Sequence, residues 1–188
     1  MKVNQLALPG VIEIVPDRFG DDRGFFSETF NAARFAAAGV DVTWVQDNHS
    51  LSRPANVLRG LHFQISPVQQ KKLVRVIRGA IVDVVVDIRP DSPSFRQWIA
   101  VEISAAAWNQ LFVPEGMAHG YLTRAADTEV IYKVSAPYSP DHERTIRFDD
   151  PDLAIAWPLA GLSPVLSRKD ATAPYLRDLI AGPDLRAS

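Results

Sequence analysis

A histidine and an arginine stand inside a strand-like apolar frame at Leu58-Arg59-Gly60-Leu61-His62-Phe63-Gln64, where residues that merely meet water are not expected. Such a histidine is either a hydrogen-bonded structural residue or a proton-transfer group, because its unperturbed pKa lies close to neutrality. In strict alternation Gly60, His62 and Gln64 share one face of a strand and Arg59 points to the other. For Arg59 and His62 to serve one ligand, a bulge at Gly60 or a neighbouring subunit must bring them together. A second histidine, His119, follows a turn in Pro114-Glu115-Gly116-Met117-Ala118-His119-Gly120. Two polar segments precede these: Asp22-Arg23-Gly24-Phe25-Phe26-Ser27-Glu28 reads as a surface turn entering a strand, and Gln46-Asp47-Asn48-His49-Ser50 is too short for a disordered loop.

The Pro-x-Gly-x-x-His spacing ending at His119 resembles the second motif of cupin barrels. In metal-binding cupins the first motif supplies His-x-His and then a Glu. Here the corresponding stretch is His62-Phe63-Gln64 followed by Ile65-Ser66-Pro67-Val68-Gln69, with neither the second His nor the Glu. Two imidazoles without a third strong ligand make a poor catalytic metal site, so a barrel without metal is expected. The chain has no cysteine and no Gly-x-Gly-x-x-Gly loop, so no cofactor is called for and general acid–base catalysis remains. The candidates are His62, Lys72 and Tyr132, with an acid to orient the histidine. Asp170, in Leu166-Ser167-Arg168-Lys169-Asp170, can be that acid or can cap the C-terminal helical region.

The elements that must position these groups are mostly strands. Lys71 to Ile88 is two Val- and Ile-rich runs meeting at Arg78-Gly79-Ala80, which predicts a hairpin. In its second half Val82, Val84, Val86 and Ile88 form a core face, while Ile81, Asp83, Val85 and Asp87 form a mixed one. Further short runs at 97–103, 110–113, 120–123, 129–134 and 145–148, separated by turn-forming residues, predict a sandwich or barrel. Helices are few: Ala32 to Ala38, with Asn31 as cap and Gly39 as stop, and Pro174 to Ala181 before Gly182. The expected fold is mainly β, a cupin-like jelly-roll barrel or sandwich with a few short peripheral helices. Residues 1–188 read as one domain, with a short C-terminal helical segment from about 170.

At 188 residues, 47% hydrophobic and 22% charged, composition is ordinary for a globular chain. A net charge of -2 supplies no broad basic field, so neither nucleic acid nor an anionic membrane surface is an expected partner. No apolar run nears the roughly 18 residues of a membrane span, and the start lacks the basic and apolar regions of a signal peptide. A cytoplasmic location is expected.

Taken in order from about Phe19 to Pro174, these pieces resemble the dTDP-4-dehydrorhamnose 3,5-epimerase family. The resemblance is carried by Asp22-Arg23-Gly24-Phe25-Phe26-x-Glu28, Gln46-Asp47-Asn48-x-Ser50, the Leu58–Gln64 and Pro114–Gly120 segments, Lys72-Leu73-Val74-Arg75, Tyr132-Lys133, Tyr138-Ser139-Pro140, Trp157-Pro158 and Ser167-x-Lys169-Asp170. It implies a ketone at C4 of a sugar that acidifies the hydrogens at C3 and C5. By resemblance His62 is the base, Asp170 its partner, Tyr132 the proton donor on the opposite face, and Lys72 the charge near the C4 oxygen. The contact with Asp170 is expected to raise the pKa of His62. Nucleotide binding carries over to Arg23, Glu28, Gln46, Asn48, Arg59, His119, Glu143 and Lys169, with Tyr138 as a stacking surface for thymine.

The resemblance also implies a homodimer whose pocket is shared between subunits. The implied substrate is a dTDP-4-keto-6-deoxy sugar, turned over at C3 and C5 together or, as in some relatives, at one carbon only. A non-catalytic sugar-nucleotide-binding barrel is the remote alternative. The chain departs from the family at Tyr121, where Phe is common, and at the 65–70 loop, neither of which is expected to touch the chemistry.

Overall fold

The computed structural model describes residues 1–181. The first strands are β1 (Lys2–Gln5), β2 (Ile12–Val15), β3 (Phe19–Asp21) and β4 (Gly24–Phe26), followed by helix α1 (Ala32–Ala37). Next come β5 (Gln46–Ser52), β6 (Leu58–Gln64), β7 (Lys72–Arg78), β8 (Ala80–Asp87), β9 (Trp98–Ser104) and β10 (Gln110–Val113). The described chain ends with β11 (Met117–Thr123), β12 (Thr128–Val134), β13 (Glu143–Thr145), α2 (Arg168–Ala171) and α3 (Leu176–Ala181).

Strands form a six-stranded antiparallel sheet in the order β1-β2-β10-β7-β12-β5 and a five-stranded one in the order β13-β6-β11-β8-β9. From β5 onward consecutive strands switch sheets at every step except β8 to β9, the jelly-roll habit of a cupin-like barrel. This overturns one expectation. Lys72–Arg78 and Ala80–Asp87 are not a hairpin: β7 pairs with β10 and β12, while β8 pairs with β9 and β11. The turn between them is an arch from one sheet to the other, made at Gly79 with φ +80°. Alternation identifies a strand but not its hydrogen-bonding partner, which is set by how the two sheets close.

Between the sheets Val74, Val76, Leu111 and Val130 meet Ile81, Val85, Ile103 and Met117, all essentially buried. Burying an aliphatic side chain of this size contributes roughly 1.5–3 kcal/mol, so this layer fixes the spacing of the sheets. The outer face of the five-stranded sheet is covered too, by Ile146, Leu153 and Leu176 lying over Leu61, Val84, Val86 and Ala118. Both faces of β8 are therefore buried, and its mixed face looks into the barrel. The other sheet is covered by α1, whose Phe35 packs with Ile12, Ile14, Leu73 and Phe112. Asn31 caps α1 by accepting from Arg34 N–H, and Gly39 leaves the helix at φ +92°. The C-terminal stretch expected from Pro174 begins its helix at Leu176; Gly182 lies outside the described residues.

Against β11, β6 carries a bulge. His62 pairs with His119 and Arg59 with Tyr121, so three steps on β6 match two on β11. Gly60 sits in the extra turn of chain at φ +130°, and a Cβ there would lie 2.5 Å from Gly120 Cα. Only paired glycines let the two backbones pass this closely.

Candidate active site

The bulge has a direct consequence for the site: it turns Arg59 and His62 into the same cavity, a space of about 360 Å³ at one end of the barrel. Of the two devices the spacing allowed, the bulge is present. His62 enters from β6, Lys72 from β7, His119 from β11 and Tyr132 from β12, while Asp170 and Lys169 reach in from α2. Tyr138 and Glu143 complete the wall at the mouth. An adjoining lobe shares His62, Lys72, Tyr132, Tyr138 and Glu143 and adds Gln46 and Asn48 from β5.

His62 Nε2 stands 2.6 Å from Asp170 Oδ1, and the Asp170 side chain is 3% exposed. An ionised carboxylate only accepts, so Nε2 carries the hydrogen and Nδ1 is left with its lone pair. Asp170 is held in turn by Ser167, whose hydroxyl donates to Oδ2 at 2.7 Å. Burial pushes the pKa of His62 down, and this outweighs the upward pull of Asp170. The Asp170 contact acts upward as expected, but desolvation, with Lys169 and Lys72 nearby, outweighs it and favours the neutral imidazole. Asp170 itself stays ionised: burial acts against its charge, but the bonds from His62 and Ser167 bring its pKa below the usual carboxylate value.

Lys72 is buried and donates from Nζ to the His62 carbonyl at 3.3 Å. Loss of water lowers its pKa from 10.5 to about 8, although Asp83 and Glu143 act to raise it. The Tyr132 phenol is pushed up by burial, with Arg59 opposing, so it holds its proton at neutral pH. A neutral base, a protonated phenol and an ammonium thus line one cavity, the set needed to move hydrogen on and off a carbon beside a carbonyl.

Near the mouth, Lys169 donates to Glu143 Oε1 at 2.8 Å and the Tyr138 hydroxyl donates to Glu143 Oε2 at 2.9 Å. Gln46 accepts from the Tyr138 N–H at 3.0 Å and donates to Asn48 at 2.7 Å. Arg59 is steadied by Ser52 and by the Leu51 carbonyl.

Two expected residues are not brought here by a single chain. Arg23 lies on the β3–β4 hairpin with its side chain 90% exposed and paired to Asp21. Glu28 is paired with Arg34 at 3.2 Å. Phe19, Phe25 and Phe26 on that hairpin are also exposed.

Some residues in or behind the cavity escaped sequence reasoning. Fully buried Asp83 holds His119, with Nε2 2.9 Å from Oδ2 and 2.8 Å from Oδ1. Its position on the mixed face of β8 was the available signal. Tyr121 lines the cavity, its hydroxyl 2.9 Å from Ser50 Oγ, and Gln70 of the 65–70 loop lines the second lobe. Both departures therefore line the pocket. The period-2 stripe Gln46, Asn48, Ser50, Ser52 was the signal for β5, since these less exposed positions alternate with exposed ones. Among the described residues no group of three or more His, Asp or Glu side chains is placed to hold a metal ion, and no helix is long and apolar enough to cross a membrane.

The two sheets define a cupin-like barrel that holds an imidazole, a phenol and an ammonium together in one cavity. Residues 5–178 match the family model described as dTDP-4-dehydrorhamnose 3,5-epimerase, and the chain belongs to that family of isomerases. The dTDP-4-dehydrorhamnose 3,5-epimerase of Salmonella typhimurium is 49% identical over 177 residues, covering 94% of this chain and 96% of its own. A solved Legionella pneumophila relative, dTDP-6-deoxy-D-glucose-3,5-epimerase in complex with dTDP-4-keto-L-rhamnose, is 42% identical with a TM-score of 0.89, covering 94% of this chain and 93% of its own. ChmJ, a 3′-monoepimerase from Streptomyces bikiniensis in complex with dTDP-quinovose, is 34% identical with a TM-score of 0.87, covering 94% and 88%.

Proposed function

We propose that the chain epimerises C3 and C5 of dTDP-4-dehydro-6-deoxy-D-glucose to give dTDP-4-dehydro-L-rhamnose. The observation that carries this reading is the His62–Asp170 pair in one cavity with Tyr132 and Lys72. His62 removes the hydrogen from C3 or C5, and the bonding pair flows into the C4 carbonyl to make an enolate. Lys72 stabilises the oxygen as its charge develops, where a fixed cation in a dry site is most effective. Tyr132 returns a proton to the same carbon from the opposite face, inverting it. Proton exchange with solvent then restores the imidazole and the phenol, and the second carbon follows the same course.

Arg59, His119 and Lys169 are suited to the nucleotide diphosphate, and Arg59 can bond two oxygens with one planar group. Gln46, Asn48, Glu143 and Tyr138 form the nucleoside end, with the exposed Tyr138 ring as a stacking surface for thymine. Arg23 and Glu28 serve a second copy: the exposed aromatic hairpin of one protomer completes the pocket of its partner. A homodimer follows, checked by a solution mass twice that of the 20.8 kDa chain. A nucleotide-activated substrate fits a cytoplasmic enzyme.

The pH dependence of kcat/KM tests the assignment. The base must be neutral, so activity falls as pH drops through the His62 pKa, which lies below 6.5. The cation must be charged, so activity falls again as pH rises through about 8. Replacing Lys72 by Met should lower kcat by about 10²–10³-fold, as for other lost oxyanion partners, and remove the alkaline limb. A variant that keeps that limb assigns it to another group and takes Lys72 out of the reaction.

A further inference from the structure

The Ser167 hydroxyl has two partners on one residue. It accepts from the Asp170 backbone N–H at 3.1 Å, the N-cap bond of α2, and donates to Asp170 Oδ2 at 2.7 Å. The cap bond fixes where Asp170 leaves the helix. The second bond fixes the rotation of the carboxylate, so that Oδ1 and not Oδ2 meets His62 Nε2 at 2.6 Å. Asp170 is 2% exposed and cannot be oriented by bulk water. Ser167 borders the cavity beside Asp170.

We propose that Ser167 is a positioning residue for the epimerisation, aiming Asp170 at His62 and setting how strongly that carboxylate holds the imidazole hydrogen. The inference rests on His62 being the base and adds a third member to the pair. A carboxylate that already accepts a hydroxyl hydrogen is a weaker acceptor toward the imidazole than a bare one. Ser167 thus keeps Asp170 from overstabilising the imidazolium, while holding His62 in one tautomer and one orientation. The other charges facing the imidazole are Lys72 from β7, Glu143 from β13 and Lys169 from α2.

The capping and aiming roles separate experimentally, because glycine is nearly as good an N-cap as serine yet has no hydroxyl. Ser167→Gly, Ser167→Ala and Ser167→Thr are compared for folding by circular dichroism, for kcat, and for the His62 titration followed by imidazole NMR in the free protein. In the Gly and Ala variants kcat should fall about 10-fold or more, a modest part of what ångström-scale misplacement costs. The His62 pKa should rise by about half a unit or more as Asp170 turns its full charge to the ring. Ser167→Thr keeps the hydroxyl and should restore both.

An unmoved His62 titration in Ser167→Gly, whether or not kcat falls, would leave Ser167 a helix cap only and overturn the proposal. If His62 is not the base, the NMR titration still moves but kcat does not follow it, which separates failure of that reading from failure of this one.

Discussion

Exchange of the sugar C3 and C5 hydrogens with solvent is expected to fall by at least about 10³-fold when His62 is replaced by Ala, within the range that a positioned acid–base group supplies. The size of the effect follows from the surroundings. Asp170 lies 2.6 Å from the ring and is nearly inaccessible to water, so the variant leaves a buried carboxylate but no nitrogen base. Lys72 cannot replace it, because below about 8 it is an ammonium with no lone pair to offer. Binding of dTDP, measured by calorimetry, should change little, since Arg59, His119 and Lys169 come from positions the substitution does not touch. Exchange at the wild-type rate in this variant would remove His62 from the mechanism.

Tyr132→Phe should separate removal of hydrogen from inversion. The base and the enolate-stabilising cation remain, so His62 can still take a hydrogen and return it to the face it came from. In deuterium oxide the ring carbons should still acquire label while keeping their configuration. Net epimerisation should drop by about 10²–10⁴-fold, the usual worth of a general acid. The ring packs against the inter-sheet core and its hydroxyl is raised in pKa by burial, so loss of the hydroxyl should be tolerated by the fold. Inversion at an undiminished rate would mean that water or another group, such as the Tyr121 or Tyr138 phenol of the same cavity, delivers the proton.

The parts of this site that sequence made legible were those with a local cause. A bulge at Gly60 was one of the two ways for Arg59 and His62 to face one ligand, and the register of β6 on β11 contains it. Asn31 and Gly39 bounded α1 through capping chemistry that needs only near neighbours. Asp170 was open between capping a helix and partnering the histidine, and the structure gives the cap of α2 to Ser167 and leaves Asp170 bonded to His62.

What was hidden depended on distant closure. The arch at Gly79 looks like a hairpin until β10 and β12 are known to flank β7. Asp83 shows in sequence only as a polar residue on a mixed strand face, yet it meets His119 across 36 positions because β8 and β11 are neighbours. The direction of the His62 shift required the depth of the barrel as well as the identity of its partner, since burial outweighs the carboxylate. Arg23 and Glu28 lie on an exposed segment, each paired with a neighbour in its own chain.

The central claim is that one base and one acid on opposite faces serve two carbons of the same sugar. The most direct measurement is proton NMR of dTDP-4-dehydro-6-deoxy-D-glucose incubated with the wild-type protein in deuterium oxide. The account predicts deuterium at both C3 and C5 and a product inverted at both centres. Label and inversion at one carbon only would make the chain a mono-epimerase like ChmJ, and label at neither would contradict acid–base chemistry at His62.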